Sequence, residues 1–396
     1  MTLELSKKLS TISPSVTLAI TAKANAMKAE GIEVFSFAAG EPDFDTPKFI
    51  QKAGIEAIEA GRTRYTPASG LKDLKAAICS KLKQDNGLEY DIENIVVSNG
   101  AKHSIFNALS AILNPGDEVI VPRPYWVSYP ELVKLADGVP KMVDVDEENH
   151  FKYTIENLDA ALTKNTKAIF INSPNNPTGT VYSLEELKAI GEWAVKNEVY
   201  ILSDEIYEKL VYDGMKHISI ASLGEEIKAQ TIVINGMSKA YAMTGWRIGY
   251  VAAPAKMAKM MSNFQSHATS NPCSISQYAS IVALTTETDE IEKMRCAFEK
   301  RRDLMVELIN ALPNISCKKP LGAFYVMANI SNWIGKEING KKIESSLDFA
   351  SELLETENVA VIPGAAFGSD DYIRLSYATS EEIIKNGISK IENFLK

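Results

Sequence analysis

The stretch Asn235-Gly-Met-Ser-Lys-Ala-Tyr-Ala-Met-Thr-Gly-Trp-Arg-Ile-Gly249 carries a lysine, Lys239, and an arginine, Arg247. Two apolar, β-branched runs flank it, Thr231 to Ile234 and Ile248 to Val251. Such runs read as buried strands, so Lys239 lies in a short connection where a sheet ends. An amine held there loses water contacts. Its pKa falls, and it becomes a usable nucleophile. The planar fork of Arg247 suits a phosphate. Amine plus phosphate clamp is what a pyridoxal phosphate site needs. Taken alone, the stretch fits a solvated lysine near a strand end better.

The remaining elements are those that must position these groups. Helical periodicity marks Val16 to Ala29, Pro47 to Ala60 and Leu71 to Leu82. After Ile95 to Ser98, read as a strand, Asn99-Gly-Ala-Lys102 opens a helix running to about Leu113. A glycine turn into a helix N-terminus presents free N–H groups and the positive dipole end, a seat for phosphate, although most such turns bind nothing. Strands at Glu118 to Val121, Lys141 to Val145, Ala168 to Asn172 and Tyr200 to Ser203 alternate with helices at Val127 to Leu135, Asn157 to Leu162 and Ser183 to Glu198. Ser183 with Glu186 forms a capping box. This alternation implies βαβ units and a mostly parallel sheet covered on both faces. Ligands in such sheets gather at the carboxyl ends of the strands. There the chain places Asn99 to Lys102, Pro124 to Trp126, Ser173 to Asn176, Asp204 to Tyr207, and Ser238 with Lys239. Past residue 287 the rhythm changes. A long charged helix, Asp289 to Ala311, precedes strands at Phe324 to Ile330, Val359 to Ile362 and Tyr372 to Tyr377, with helices at Ser346 to Glu357 and Glu381 to Leu395. A smaller α+β domain is expected, giving residues 48–286 as the large domain and 1–47 plus 287–396 as the small one.

Composition narrows the function. The chain of 396 residues is 45% hydrophobic and 23% charged, ordinary for a globular protein with a sizeable core. A net charge of −9 argues against nucleic-acid binding. Cys79, Cys273, Cys296 and Cys317 make neither a CxxC pair nor a zinc spacing with the histidines. Met1 to Ile20 is polar and broken by Pro14, so it lacks a signal-peptide core. No apolar run reaches membrane-spanning length. A cytoplasmic protein is expected, with no metal and no membrane partner.

With these residues in view, the chain resembles the class I aminotransferases of pyridoxal-phosphate fold type I. Ser238-Lys-Ala-Tyr-Ala-Met-Thr-Gly-Trp-Arg-Ile-Gly249 looks like their lysine motif and Asn172-Ser-Pro-Asn-Asn-Pro-Thr-Gly179 like their asparagine motif. Ser203-Asp-Glu-Ile-Tyr207 looks like the cofactor-ring motif, and Tyr372-Ile-Arg-Leu-Ser376 like the carboxylate-binding arginine motif. Four motifs in order are far more specific than one short match. The resemblance implies a mostly parallel seven-stranded sheet covered by helices, with the smaller α+β domain beside it. It implies that Lys239 holds pyridoxal 5'-phosphate as a Schiff base and moves the proton. Asp204 would pair with the pyridine nitrogen, Tyr207 and Asn176 with the phenolic oxygen, and Trp126 would stack on the ring. The turn Gly100, Ala101 and Lys102, with Ser238 and Arg247, would hold the phosphate. Tyr65 would reach the phosphate of a neighbouring subunit, which implies a homodimer. Arg374 would take the substrate α-carboxylate, with the backbone of Gly40 nearby.

Within that family the chain is most similar to bacterial aspartate aminotransferases that carry Pro-Ser-x-Thr near the N-terminus and a lysine in the glycine turn, here Pro14-Ser-Val-Thr17 and Lys102. That branch implies that Lys102 meets the second carboxylate of a dicarboxylic amino acid. His103 stands where many relatives carry glutamine. The implied reaction is L-aspartate plus 2-oxoglutarate to oxaloacetate plus L-glutamate. A prephenate or aromatic aminotransferase, or a carbon–sulfur lyase, on the same fold is the alternative, since Arg374 serves all of them. A regulator with an aminotransferase-like body would carry a DNA-binding extension. An unrelated nucleotide-binding protein would show GxGxxG or GxxxxGK[ST], which are missing here.

Overall fold

The computed structural model describes residues 4–14 and 16–396; Ser15 of the Pro-Ser-x-Thr stretch lies outside them. Its central feature is a seven-stranded sheet. In chain order the strands are β1 (Ile95–Ser98), β2 (Glu118–Arg123), β3 (Val139–Asp144), β4 (Thr166–Asn172), β5 (Tyr200–Asp204), β6 (Thr231–Gly236) and β7 (Gly249–Ala252). They lie side by side as β1-β7-β6-β5-β4-β2-β3. Within this sheet β7 runs antiparallel to both β1 and β6, and every other pairing is parallel. No helix separates β6 from β7, and a parallel pair would need such a crossover. The Lys239 segment is therefore the turn of an antiparallel pair.

The chain steps outward from β2 to β3 and then returns to place β4 on the other side of β2. That reversal puts the crevice favoured by ligands beyond the carboxyl ends of β2 and β4. The central strands are buried on both faces, as their runs of Val and Ile require. Alternate residues feed opposite layers. Val96, Ile232 and Val251 pack beneath α4 (Ala101–Ile112), α5 (Ser128–Leu135) and α9 (Ala255–Ala268). Val97, Val233 and Tyr250 pack beneath α2 (Lys48–Glu59), α3 (Lys72–Asn86) and α10 (Ser274–Thr285). Ile169 and Ile201 meet α6 (Ile155–Ala161), α7 (Leu184–Lys196) and α8 (Glu225–Gln230). The expected capping box opens α7: the Ser183 N–H donates to Glu186 Oε2 at 2.7 Å and the Glu186 N–H to Ser183 Oγ at 3.3 Å.

A second, antiparallel sheet forms from β8 (Ser316–Cys317), β9 (Tyr325–Asn329), β10 (Ile362–Pro363) and β11 (Tyr372–Ser376), in the order β10-β11-β9-β8. It packs with α11 (Glu290–Asn310), α12 (Ser346–Glu357) and α13 (Glu381–Phe394). The N-terminal part joins it. α1 (Val16–Ala29) packs near β10, and Phe35–Ser36 pairs in parallel with Val359–Ala360. The run Val359 to Ile362, read as one strand, is two short strands with different partners. Among the described residues no helix is long and apolar enough to cross a membrane.

Candidate active site

A cavity of about 510 Å³ opens where the carboxyl ends of the large sheet face β9, β11 and the loop after Phe37. Gly40, Ala101, Lys102, Trp126, Asn176, Asp204, Tyr207, Ser238, Lys239, Arg247 and Arg374 all line it. Residues scattered through the chain are thus brought to one place. Gly100 is not among the lining residues but packs against one of them, Arg247. Tyr65 does not reach this cavity; its side chain is 90% exposed elsewhere on the surface.

Lys239 follows β6, and its ammonium donates to the Gly40 carbonyl. It also lies 5.7 Å from the Tyr207 ring centroid and 5.6 Å from that of Phe324. Loss of solvation lowers its pKa to about 8. Glu41 and Asp204 oppose the fall, while Arg374 and Arg247 add to it. A substantial fraction of neutral amine therefore exists near pH 8, as a nucleophile or base needs.

Asp204 ends β5 and is buried. Burial pushes its pKa up to about 6, against hydrogen bonds that favour the anion. Tyr129 Oη donates to Oδ2 at 2.7 Å, and the Ile206 N–H donates to Oδ1 at 3.3 Å. Tyr129 is itself fixed by stacking on Phe170 at 4.2 Å between centroids. Beside this carboxylate, the Tyr207 and Tyr325 hydroxyls share a hydrogen bond of 3.0 Å.

The turn from β1 into α4 has Gly100 at φ +86°, a left-handed conformation that favours glycine. A Cβ there would meet Arg247 Nη2 at 2.2 Å. Arg247 also has a positive φ, 57°, and donates through Nη1 to Thr244 O at 2.9 Å and through Nη2 to Asn99 O at 3.2 Å. Both groups carry strained or special backbone at one spot, the kind of position that functional sites hold. Lys102 projects beside them, 5.1 Å from the Trp126 ring centroid. Desolvation, then the charge of Arg247, lowers its pKa.

Arg374, on β11, is buried and has no carboxylate partner among the described residues. Nη1 donates to Asn176 Oδ1 at 3.1 Å and Nη2 to Ala38 O at 3.1 Å, while Nε has no partner. The guanidinium lies 4.3 Å from the Tyr325 centroid and 5.0 Å from that of Phe367. A buried cation without a counter-ion is costly unless an anion completes it. Because Asn176 accepts from Arg374 through Oδ1, its amide N–H groups point elsewhere, free to donate. The cavity can therefore hold an anion at Arg374 and another at Arg247 and the Gly100 turn. Between them it offers an amine, a carboxylate and two phenols.

Several lining residues went unread in the sequence: Tyr129, Tyr325, Phe367, Glu41 and Thr244. Thr244 Oγ1 donates to Glu41 at 2.7 Å, tying the lysine segment to the loop after Gly40. Tyr129 had a signal, standing three positions after Trp126 at the start of a helix, on the same face. Tyr325 and Phe367 had none, because they reach the cavity through the packing of the second sheet.

This fold and this site are those of one family. The model for aminotransferase class I and II matches residues 32–391, and the chain belongs to that family. It is similar to the aspartate aminotransferase of Bacillus sp. (strain YM-2), with 51% identity over 99% of both chains. It is also similar to the aspartate/prephenate aminotransferase of Cereibacter sphaeroides, with 47% identity over 98% of both. Among solved structures, the aspartate aminotransferase of Rhizobium meliloti superimposes with a TM-score of 0.95 at 43% identity, covering 99% of each chain. The Thermus thermophilus aspartate aminotransferase with maleate gives 0.93 at 40% identity, covering 99% of this chain and 100% of that one.

Proposed function

We propose that this protein is an aspartate aminotransferase, converting L-aspartate and 2-oxoglutarate to oxaloacetate and L-glutamate with pyridoxal 5'-phosphate. The observation that carries the reading is the pair of cationic anchors, Arg374 and Lys102, lining one cavity with Lys239 between the two sheets. A substrate with two carboxylates matches two cations. The curated relatives named above, aspartate and aspartate/prephenate aminotransferases, support the same substrate class.

The donor set fits the cofactor. The buried guanidinium with an unpartnered Nε accounts for one anion, the substrate α-carboxylate. The turn Gly100 to Lys102, Ser238 and Arg247 account for a second, the phosphate. Pyridoxal phosphate, when bound, supplies the carbonyl that exchanges the amino group and a ring that withdraws electrons from the substrate Cα.

The chain's own residues do the rest. Lys239 would supply the amine that holds the cofactor and, when free, would take the proton from the substrate Cα as general base and deliver it to the cofactor carbon as general acid. Asp204, ionised above about pH 6, would keep a pyridine nitrogen protonated. Tyr207 and the amide of Asn176 would donate to the phenolic oxygen. Trp126 would stack on the ring and exclude water. Arg374 orients the α-carboxylate by a fork–fork contact, and Lys102 selects the side-chain carboxylate.

The same proposal includes a division into a large body, residues 48–286, and a small one, 1–47 plus 287–396. Two separate sheets support it, with Ile206, Tyr207, Leu210 and Tyr212 of the large body packing into the core of the small one. It also includes a cytoplasmic homodimer in which Tyr65 reaches the partner's phosphate; an aromatic side chain left 90% exposed supports this. The test is a panel of amino acids offered with 2-oxoglutarate to the purified protein, read by the keto acid formed. Oxaloacetate from aspartate should dominate. Phenylpyruvate from phenylalanine as the main product would reject dicarboxylate selection. The relatives that name prephenate make it the second substrate on the panel.

A further inference from the structure

We propose that His103 is a positioning residue: its neutral ring, protonated on Nε2, accepts the Asn99 N–H through Nδ1 and locks the turn that presents Ala101 and Lys102 to the phosphate. This rests on the reading of that turn as the phosphate seat.

The turn between β1 and α4 is short, and Gly100 at φ +86° restrains it little. Its shape must come from hydrogen bonds. The Gly100 N–H donates back to Ser98 O at 2.8 Å. The Gly100 carbonyl accepts from the N–H groups of His103 at 3.1 Å and Ser104 at 3.2 Å. The Asn99 peptide groups are gripped from two sides. Its N–H donates to His103 Nδ1 at 3.2 Å, and its carbonyl accepts from Arg247 Nη2 at 3.2 Å. Every polar backbone group of Asn99 and Gly100 is then used. The next N–H groups, of Ala101 and Lys102, belong to the first helical turn and have no intrahelical acceptor. Both residues line the cavity.

Gly100 is the N-cap of α4, so His103 is the third helical residue. That is the position from which a capping-box side chain reaches back to a backbone N–H. Here the imidazole reaches one residue further, to Asn99. The bond has a condition. Nδ1 accepts only when it carries no proton; an imidazolium would turn a donor toward a donor. Burial favours the neutral ring. The oxygen of a glutamine side chain could accept the same N–H with no such condition, whereas leucine offers no acceptor.

The test titrates pyridoxal phosphate into the apo forms of wild type, H103Q and H103L. In parallel, the imidazole nitrogens of wild type are recorded by 15N NMR at pH 7.5, with the His103 signals assigned by their loss in H103Q. The expected result is an acceptor-type Nδ1 with a protonated Nε2. Cofactor affinity should stay within about twofold of wild type in H103Q and fall about fivefold or more in H103L, the loss of one backbone hydrogen bond. An imidazolium or an Nδ1–H ring at His103 overturns the proposal, as does H103L binding as tightly as a wild type that binds well. Should H103L fail to fold, the ring state and H103Q decide: a neutral Nε2–H ring with full retention in H103Q supports the role, and loss of affinity in H103Q removes it. A wild-type protein that takes up no pyridoxal phosphate rejects the functional reading itself, whatever the His103 ring shows.

Discussion

Asp204→Asn should make the cofactor-free protein more stable and the cofactor-loaded protein less so. Burial raises the Asp204 pKa from 3.8 to about 6 even though Tyr129 and the Ile206 N–H bond the anion. A shift of about two units corresponds to roughly 3 kcal/mol of cost at neutral pH. Asparagine keeps one oxygen for the Ile206 N–H but puts an amide nitrogen where Oδ2 accepted from Tyr129 Oη, and the lost bond costs about 1–2 kcal/mol. The net gain for the apoprotein is about 1–2 kcal/mol at pH 7.5, or roughly 1–3 °C in thermal midpoint for a chain of this length. The sign of the pH dependence follows from the raised value. A protonated Asp204 carries no penalty, so the wild type is unhandicapped below its unfolded pKa. The penalty grows as pH rises from 3.8 and is complete above about 6. The gap between variant and wild type should therefore open from pH 5 to pH 7.5. With saturating pyridoxal phosphate the order should reverse, because an amide cannot hold a pyridine nitrogen protonated. Melting curves of apo and loaded forms across that pH range make the assay. An apo variant less stable than wild type at pH 7.5, or a gap that ignores pH, would refute the desolvation argument.

Replacing Lys102 by Met should lower kcat/KM for aspartate about ten- to hundredfold, the loss of a hydrogen bond to a charged group, while leaving alanine within a factor of about three; equal losses in steady-state kinetics would remove Lys102 from substrate selection. Gly100→Ala puts a Cβ 2.2 Å from Arg247 Nη2 at a left-handed φ, so cofactor affinity measured by titration should fall at least tenfold, by about 1.4 kcal/mol or more. Away from the cavity, buried Lys81 pairs with Glu208, whose other oxygen accepts from Asn86 at 2.9 Å. Burial pushes Glu208 up, but Lys81, His217 and Asn86 together outweigh it and hold the carboxyl at about 2. Lys81→Met should cost about 3–5 kcal/mol in denaturant unfolding at pH 7. The stability that Glu208 contributes in wild type is present above 4.5 and lost as pH falls toward 2, so the gap between wild type and this variant should narrow as pH falls through that range.

What could be read from the sequence divides along physical lines. Lys239, Asp204 and the Gly100 turn were legible because each follows a short apolar run, and a strand end is a local property. α4 and α7 were legible through a glycine turn and a capping box. The direction of β7 was not stated, although the absence of a helix between Ile234 and Ile248 contained it. Arg374 could be located only through a motif, since its burial depends on Tyr325 and Phe367 from distant parts of the chain. Tyr129 escaped because its importance lies in an oxygen 2.7 Å from a carboxylate that is distant in sequence. His103 was visible as a residue and silent as to role until the Asn99 N–H was placed against Nδ1.

The central claim is that one amine, Lys239, stands at the meeting point of a phosphate seat, a buried carboxylate and a carboxylate-binding arginine. Borohydride reduction of the pyridoxal-phosphate-loaded protein, followed by proteolysis and mass spectrometry, tests it most directly. The account predicts a single phosphopyridoxyl adduct on the peptide containing Lys239, lost in Lys239→Ala. An adduct centred on Lys102 or on surface lysines, or none at all, would contradict it.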